Sequence, residues 1–181
     1  MVEVVETDTF SNHREQTKYR QFPQHELDKI VAAVEGVDHG VFVDSEPGRE
    51  LRVFDDEIAT RLPEYEYEHA GDAGRNPATK LWRDSGFDHS VDLYHPEKRI
   101  AIEIEKSERK RVSDDLLKFI KGGKTYRNGR NIIEFGCLIL PTNYRGNGNI
   151  YGGVLTTLDF MRAIIYVEDI AMVGYRDPRW Q

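Results

Sequence analysis

The stretch from Ser90 to Ser107, SVDLYHPEKRIAIEIEKS, constrains this chain more than any other. Val91 and Leu93 alternate with Ser90, Asp92 and Tyr94. After a polar turn from His95 to Arg99, the residues Ile100, Ile102 and Ile104 alternate with Ala101, Glu103 and Glu105. Period two is the strand signature, so the spacing predicts a β-hairpin with one apolar and one acidic face. Glu is depleted in strands. Two of them on one face, with Asp92 across the turn, would repel one another unless fully solvated or gathered around a cation. The pattern points to a divalent-metal site carried on a hairpin.

The 181 residues suit a single domain, residues 1–181, able to bury a substantial core. A hydrophobic share of 39% and a charged share of 31% are those of an ordinary globular chain. No apolar run approaches the roughly 20 residues that cross a bilayer. The first residues, Met-Val-Glu-Val-Val-Glu, lack the basic region of a signal peptide. No membrane partner and a cytoplasmic setting are therefore expected. Cys137 is the only cysteine, which excludes a disulfide framework and a cysteine zinc site. Inside the apolar run from Ile132 to Leu140 it reads as a small core residue.

A net charge of −7 argues against nucleic acid until its distribution is considered. Residues 106–130 hold nine basic side chains against three acidic ones, a local +6, which leaves −13 for the rest. The nine are Lys106, Arg109, Lys110, Arg111, Lys118, Lys121, Lys124, Arg127 and Arg130. Such a block beside an acidic cluster is an electrostatic footprint for a phosphate polymer. A solvated helix face with its usual lysines is the plainer alternative.

Along the chain, Val2 to Thr9 reads as a strand. Leu27, Ile30, Val31 and Val34 mark an amphipathic helix ending at Gly36. Val41 to Val43 suits a short strand. Phe54, Ile58 and Leu62 mark a second helix stopped by Pro63. Residues 64–80 read as a loop. Ser113 is placed to cap a helix carrying Leu116, Leu117, Phe119 and Ile120, with Gly122-Gly123 interrupting it. Ile132 to Leu140, closed by Pro141, is expected to be a strand buried on both faces. Tyr144 to Gly153 reads as a loop, Thr156 or Thr157 as the start of a last helix, and Ile170 to Tyr175 as a last strand. This order predicts an α/β fold, a central mixed sheet flanked by helices on both sides.

Asp92 on one strand and Glu103-Ile104-Glu105 on the next resemble the PD-(D/E)XK nuclease superfamily, the restriction-endonuclease-like fold. Asp92 matches its first acid and Glu103 its second. Glu105 stands where Lys is usual, as in type II restriction endonucleases of the BamHI/BglII-like kind. The prolines that conventionally precede the first acid are absent, with Ser90-Val91 in their place. The resemblance spans residues 50–143, the catalytic core, and includes the helix of Ser113 to Tyr126 and the strand end of Gly136 to Thr142.

The resemblance implies a Mg²⁺-dependent DNA endonuclease, with Mn²⁺ able to substitute, acting on double-stranded DNA as a homodimer. Asp92 and Glu103 would be metal ligands, with the Ile104 carbonyl a third and the helix-borne Glu57 a further candidate. Glu105 would orient or deprotonate the attacking water. Lys106 falls on the opposite face of a regular strand, unless a bulge returns it to the site. Arg109, Lys110, Arg111, Lys118, Lys121, Lys124 and Arg145 are the DNA-binding candidates, and the Arg75-Asn76 and Tyr144–Asn149 loops suit base or phosphate contacts. The alternatives are a repair or Holliday-junction-resolving nuclease, and a decayed nucleic-acid-binding module on the same fold. An exposed face with Glu103 and Glu105 paired to Lys98, Arg99 or Lys118 would instead be ordinary surface. His89 and His95, flanking Asp92, would suit zinc, but histidines near a turn are more often solvated.

Overall fold

A computed structural model of the protein describes residues 1–13, 19–43, 50–70, 76–82, 89–106, 109–145 and 149–180. The hairpin forms as its alternation predicts. β3 (Leu93–His95) and β4 (Ile100–Ile104) pair antiparallel, with Leu93 opposite Ile102 and Tyr94 opposite Ala101. One step along that register, Asp92 faces Glu103.

β4 also pairs in parallel with β7 (Phe135–Pro141), and β7 with β8 (Asp169–Arg176). β1 (Glu3–Thr9) lies antiparallel on β8, and the two-residue β2 (Glu66–Tyr67) borders β3. The six-stranded order is β1-β8-β7-β4-β3-β2. Parallel neighbours need crossover connections. α4 (Arg109–Lys124) carries the chain from β4 towards β7, and α5 (Ile150–Met161) carries it from β7 to β8. A small hairpin of β5 (Tyr126–Arg127) and β6 (Arg130–Asn131) follows α4. Its turn places Asn128 and Gly129 at φ 53° and 77°.

Two cores enclose the sheet. On one face Ile100, Ile102 and Ile104 pack with Leu27, Ile30 and Val34 of α1 (Gln24–Glu35) and with Phe54 and Ile58 of α3 (Glu50–Arg61). On the other, Ala101 and Leu138 pack with Val112, Leu116 and Phe119 of α4 and with Val154 and Leu158 of α5. This is the central mixed sheet flanked by helices on both sides that the order of elements predicts. β7 is buried along its whole length, as an apolar run closed by proline should be.

Several local expectations yield to packing. Val41–Val43 is no strand: Gly40–Val43 forms a short helix, α2, that buries Phe42. Residues 64–80 are not wholly loop, because they contain β2; Gly71, Gly74 and Arg75 lie outside the described residues. Ser113 does not cap α4, which begins at Arg109 and extends its buried stripe back to Val112. Gly122-Gly123 does not interrupt that helix. A Cβ at Gly122 would stand 2.4 Å from Ile133 Cδ1, and one at Gly123 would stand 2.8 Å from the Tyr166 carbonyl carbon. These glycines let the helix end approach the chain. The last helix starts at Ile150 and not at Thr156 or Thr157, because Asn149 caps it by accepting a 2.7 Å hydrogen bond from the Gly152 N–H. The Tyr144–Gly153 stretch is accordingly part loop and part helix. Among the described residues no helix is long and apolar enough to cross a membrane.

Candidate active site

The C-terminal end of β4 opens into a cleft of about 400 Å³. Asp92, Glu103, Ile104, Glu105 and Lys106 border it, joined by Asp55 from α3 and by Arg111, Asp114, Asp115 and Lys118 from α4. Glu68, His69 and His89 complete the far side. Asp92, Glu103, Ile104 and Glu105 are therefore brought together as the spacing predicts. The acidic face, however, is not solvated. Glu103 is 2% exposed and Glu105 8%, because α4 covers the face that carries them. An ordinary exposed, salt-bridged surface is thereby excluded. Lys98 and Arg99 are engaged elsewhere, with Glu26 Oε1 at 2.5 Å and the Asn131 carbonyl at 2.6 Å.

Asp92 is anchored by the backbone. Its Oδ2 accepts a 2.7 Å hydrogen bond from the Ile104 N–H, tying the acid before β3 to the end of β4. Glu103 Oε2 accepts from the Lys118 ammonium at 2.8 Å, and Asp115 Oδ1 accepts from the same nitrogen at 3.2 Å. Glu105 lies on the side of Glu103, next to Asp115. Lys106 emerges on the other side, as regular alternation requires, and there binds Asp55 Oδ2.

Glu57 does not reach the cleft. It is 41% exposed and accepts from Arg61 of its own helix at 2.5 Å. Asp55 takes that place. At about 100° per residue, Asp55 lies about 60° from the centre of the Phe54–Ile58–Leu62 stripe and Glu57 about 100° to the other side. Those angles were available from the sequence. Asp115 had a signal too: it precedes the buried Leu116 and stands at i, i+3 from Lys118.

Burial and crowding decide the electrostatics. Burial, then the charges of Asp92 and Asp115, hold Glu103 well above the usual carboxylate range. Burial and Asp115 push Glu105 up to about 8. Burial raises Asp115, and it pushes Asp55 to about 7 despite the Lys106 ammonium beside it. Burial opposes the Lys118 charge, yet Glu103 and Asp115 outweigh it and raise that pKa. Among the described residues, Asp55 Oδ1, Glu103 Oε1, Glu105 Oε2 and Asp115 Oδ2 are buried without a hydrogen-bond donor, and Asp115 stands directly against Glu103 and Glu105. Buried polar atoms without partners are costly. Hard oxygen donors short of positive charge fit a Mg²⁺- or Mn²⁺-like ion. Among the described residues, no group of three or more His, Cys, Asp or Glu stands ready to hold a metal.

The basic candidates separate. Lys118 points into the carboxylates, away from any outer surface. Lys121 and Arg111 are exposed; Lys124 is exposed and holds its Nζ 3.8 Å from the centre of the Tyr166 ring. Arg145 is exposed at φ 51° over the Tyr144 ring. The side chains of Arg109 and Lys110 lie outside the described residues. His95 is buried against Tyr65, edge to face, and does not border the cleft.

Comparison with known proteins agrees with this architecture. No curated protein matches the chain. The structure is similar to the crystal structure of the restriction endonuclease BglII complexed with a DNA 16-mer, with a TM-score of 0.51 and 10% identity. That similarity covers 94% of this chain and 78% of the other, and it bears on the fold. Residues 2–175 match the family model described as "Putative halobacteria restriction endonuclease". The chain belongs to that restriction endonuclease family.

Proposed function

We propose that this chain is a Mg²⁺-dependent DNA endonuclease of the type II restriction kind, with Mn²⁺ able to substitute. The observation that carries the reading is the set of buried, unpartnered carboxylate oxygens gathered at the end of β4. Asp92 and Glu103 would hold the ion, with the Ile104 carbonyl as a further donor. When bound, a divalent ion supplies charge neutralisation at the scissile phosphate and acidifies water.

The protein's own groups do the rest. The Ile104 N–H fixes the Asp92 carboxylate, so its free oxygen is aimed before substrate arrives. Glu105, which favours its protonated form at neutral pH, orients water and accepts its proton once positive charge neutralises its neighbours. Lys106, paired with Asp55 at the border of the same cleft, keeps a positive charge beside these acids. Lys121, Arg111 and Arg145 offer exposed positive charge for the phosphate backbone. Recognition of a twofold-symmetric site on double-stranded DNA by a homodimer belongs to the same reading.

The test is incubation of supercoiled plasmid with the protein across a Mg²⁺ titration. Metal-dependent nicking or linearisation that resolves into discrete fragments is expected. A uniform smear would indicate a cutter without sequence preference. No cleavage by folded protein with any divalent ion would overturn the reading.

A further inference from the structure

We propose that the Lys118 ammonium is a place-holder for the divalent cation, seated among the carboxylates of the ion-free protein and released when the ion binds. This rests on reading the cleft as a metal centre, and the test below separates the two claims.

Lys118 reaches into the cleft from the middle of α4, with its side chain 14% exposed. Its nitrogen lies 2.8 Å from Glu103 Oε2 and 3.2 Å from Asp115 Oδ1. The second oxygens of both partners, Glu103 Oε1 and Asp115 Oδ2, are buried without a donor among the described residues. One positive charge is thus shared by two carboxylates whose remaining oxygens go unserved. Glu105, with its own unpartnered Oε2, stands beside them. An ammonium meets this demand only partly, because its single charge reaches one oxygen of each partner and leaves the other without a donor.

Size makes the two occupants exclusive. An N⁺–H···O⁻ contact of about 2.7–2.9 Å is normal for an ammonium, whereas Mg²⁺ requires oxygens at about 2.0–2.1 Å. Glu103 is the carboxylate common to the ammonium and to an ion held with Asp92, and its Oε2 cannot serve both at once. This accounts for the lack of a ready ligating group among the described side chains despite so many acids in one cleft. An ion bound to Glu103 would also stand against the ammonium at a few ångströms, a like-charge contact that favours its departure. The four-carbon stem and the space of about 400 Å³ allow the head group to move without moving α4. Released, Lys118 keeps its positive charge at the border of the cleft. Loading the ion and presenting that charge become one event.

The experiment uses the whole protein without DNA. Amine acetylation is followed residue by residue by mass spectrometry, with and without Ca²⁺ or Mn²⁺, while calorimetry measures Mn²⁺ binding to wild type and to Lys118→Gln. Lys118 should be protected in the ion-free protein and become more reactive by about tenfold when the ion is added. Lys98, paired with Glu26 elsewhere in the fold, should keep its rate. Lys118→Gln should bind Mn²⁺ about tenfold more tightly. If Mn²⁺ binds and Lys118 stays protected, the inference is overturned and the metal centre stands, even if Lys118→Gln binds more tightly through simple loss of charge. If neither protein binds Mn²⁺, the metal centre itself is wrong, and the place-holder with it.

Discussion

Gly136→Ala should loosen the contact that holds α4, and with it Asp115 and Lys118, against the sheet. A Cβ at position 136 would stand 2.5 Å from Phe119 Cδ2 and 2.6 Å from its Cε2. Carbon atoms rest at about 3.5–4.0 Å, so the ring or the helix must yield by about 1 Å. Phe119 is fully buried and cannot turn aside into solvent. Overpacking of this kind costs about 1–3 kcal/mol. For a chain of this length that lowers the melting temperature by about 2–12 °C. The displacement should also reach the cleft, because Phe119 follows Lys118 directly and lies one helical turn beyond Asp115. Scanning calorimetry and a Mn²⁺ titration of the same variant read both effects. Phe119→Leu, which makes room at the contact, should recover part of the loss when combined with Gly136→Ala. A Gly136→Ala protein melting within about 1 °C of wild type, with unchanged Mn²⁺ affinity, would refute this account of the α4 seat.

Burial pushes Asp55 up to about 7, so the fold opposes its charge above the unfolded value of 3.8, and Asp55→Asn should weaken the pH dependence of stability between about pH 4 and 7 in urea unfolding, while Glu57→Ala stays within about 0.5 kcal/mol. Glu26 is buried, and although burial opposes its charge, Lys98 and Tyr65 hold its pKa below the ordinary 4.5. A lowered carboxylate pKa stabilises the fold above the unfolded value and loses that contribution as pH falls through the folded one. Lys98→Gln should therefore shift acid unfolding, followed by tryptophan fluorescence, to higher pH. Replacing Lys121 and Lys124 together with Gln should flatten the slope of log K against log salt for DNA binding by about one unit per lost phosphate contact; an unchanged slope would make them mere solvated charge.

Where one local pattern decides the structure, the sequence was enough. The period-two hairpin gave Asp92, Glu103 and Glu105 their shared cleft and turned Lys106 off their strand face, yet Lys106 still borders that cleft through its contact with Asp55. The apolar run ending at Pro141 became the fully buried β7. Where tertiary packing decides, it was not. Gly122-Gly123 looks like a stop signal, yet it is the surface on which α4 meets Ile133 and Tyr166. Lys118 shares a spacing with Lys121 and Lys124, but its neighbour across the gap is Glu103, fifteen residues away in sequence. Asn149 starts α5 through a side-chain hydrogen bond that the loop-like composition around it conceals. Burial of the acidic face depends on α4 lying over it, which no strand pattern encodes.

The central claim is that Asp92 and Glu103 form a metal-dependent hydrolytic site, and single-turnover cleavage of plasmid DNA by wild type, Asp92→Asn and Glu103→Gln tests it most directly. Circular dichroism on the same samples confirms that each variant is folded. Cleavage by wild type is expected only with Mg²⁺ or Mn²⁺, with a loss on the order of hundredfold or more in each variant. Full-rate cleavage by either folded variant, or by wild type with all divalent ions chelated, would contradict it.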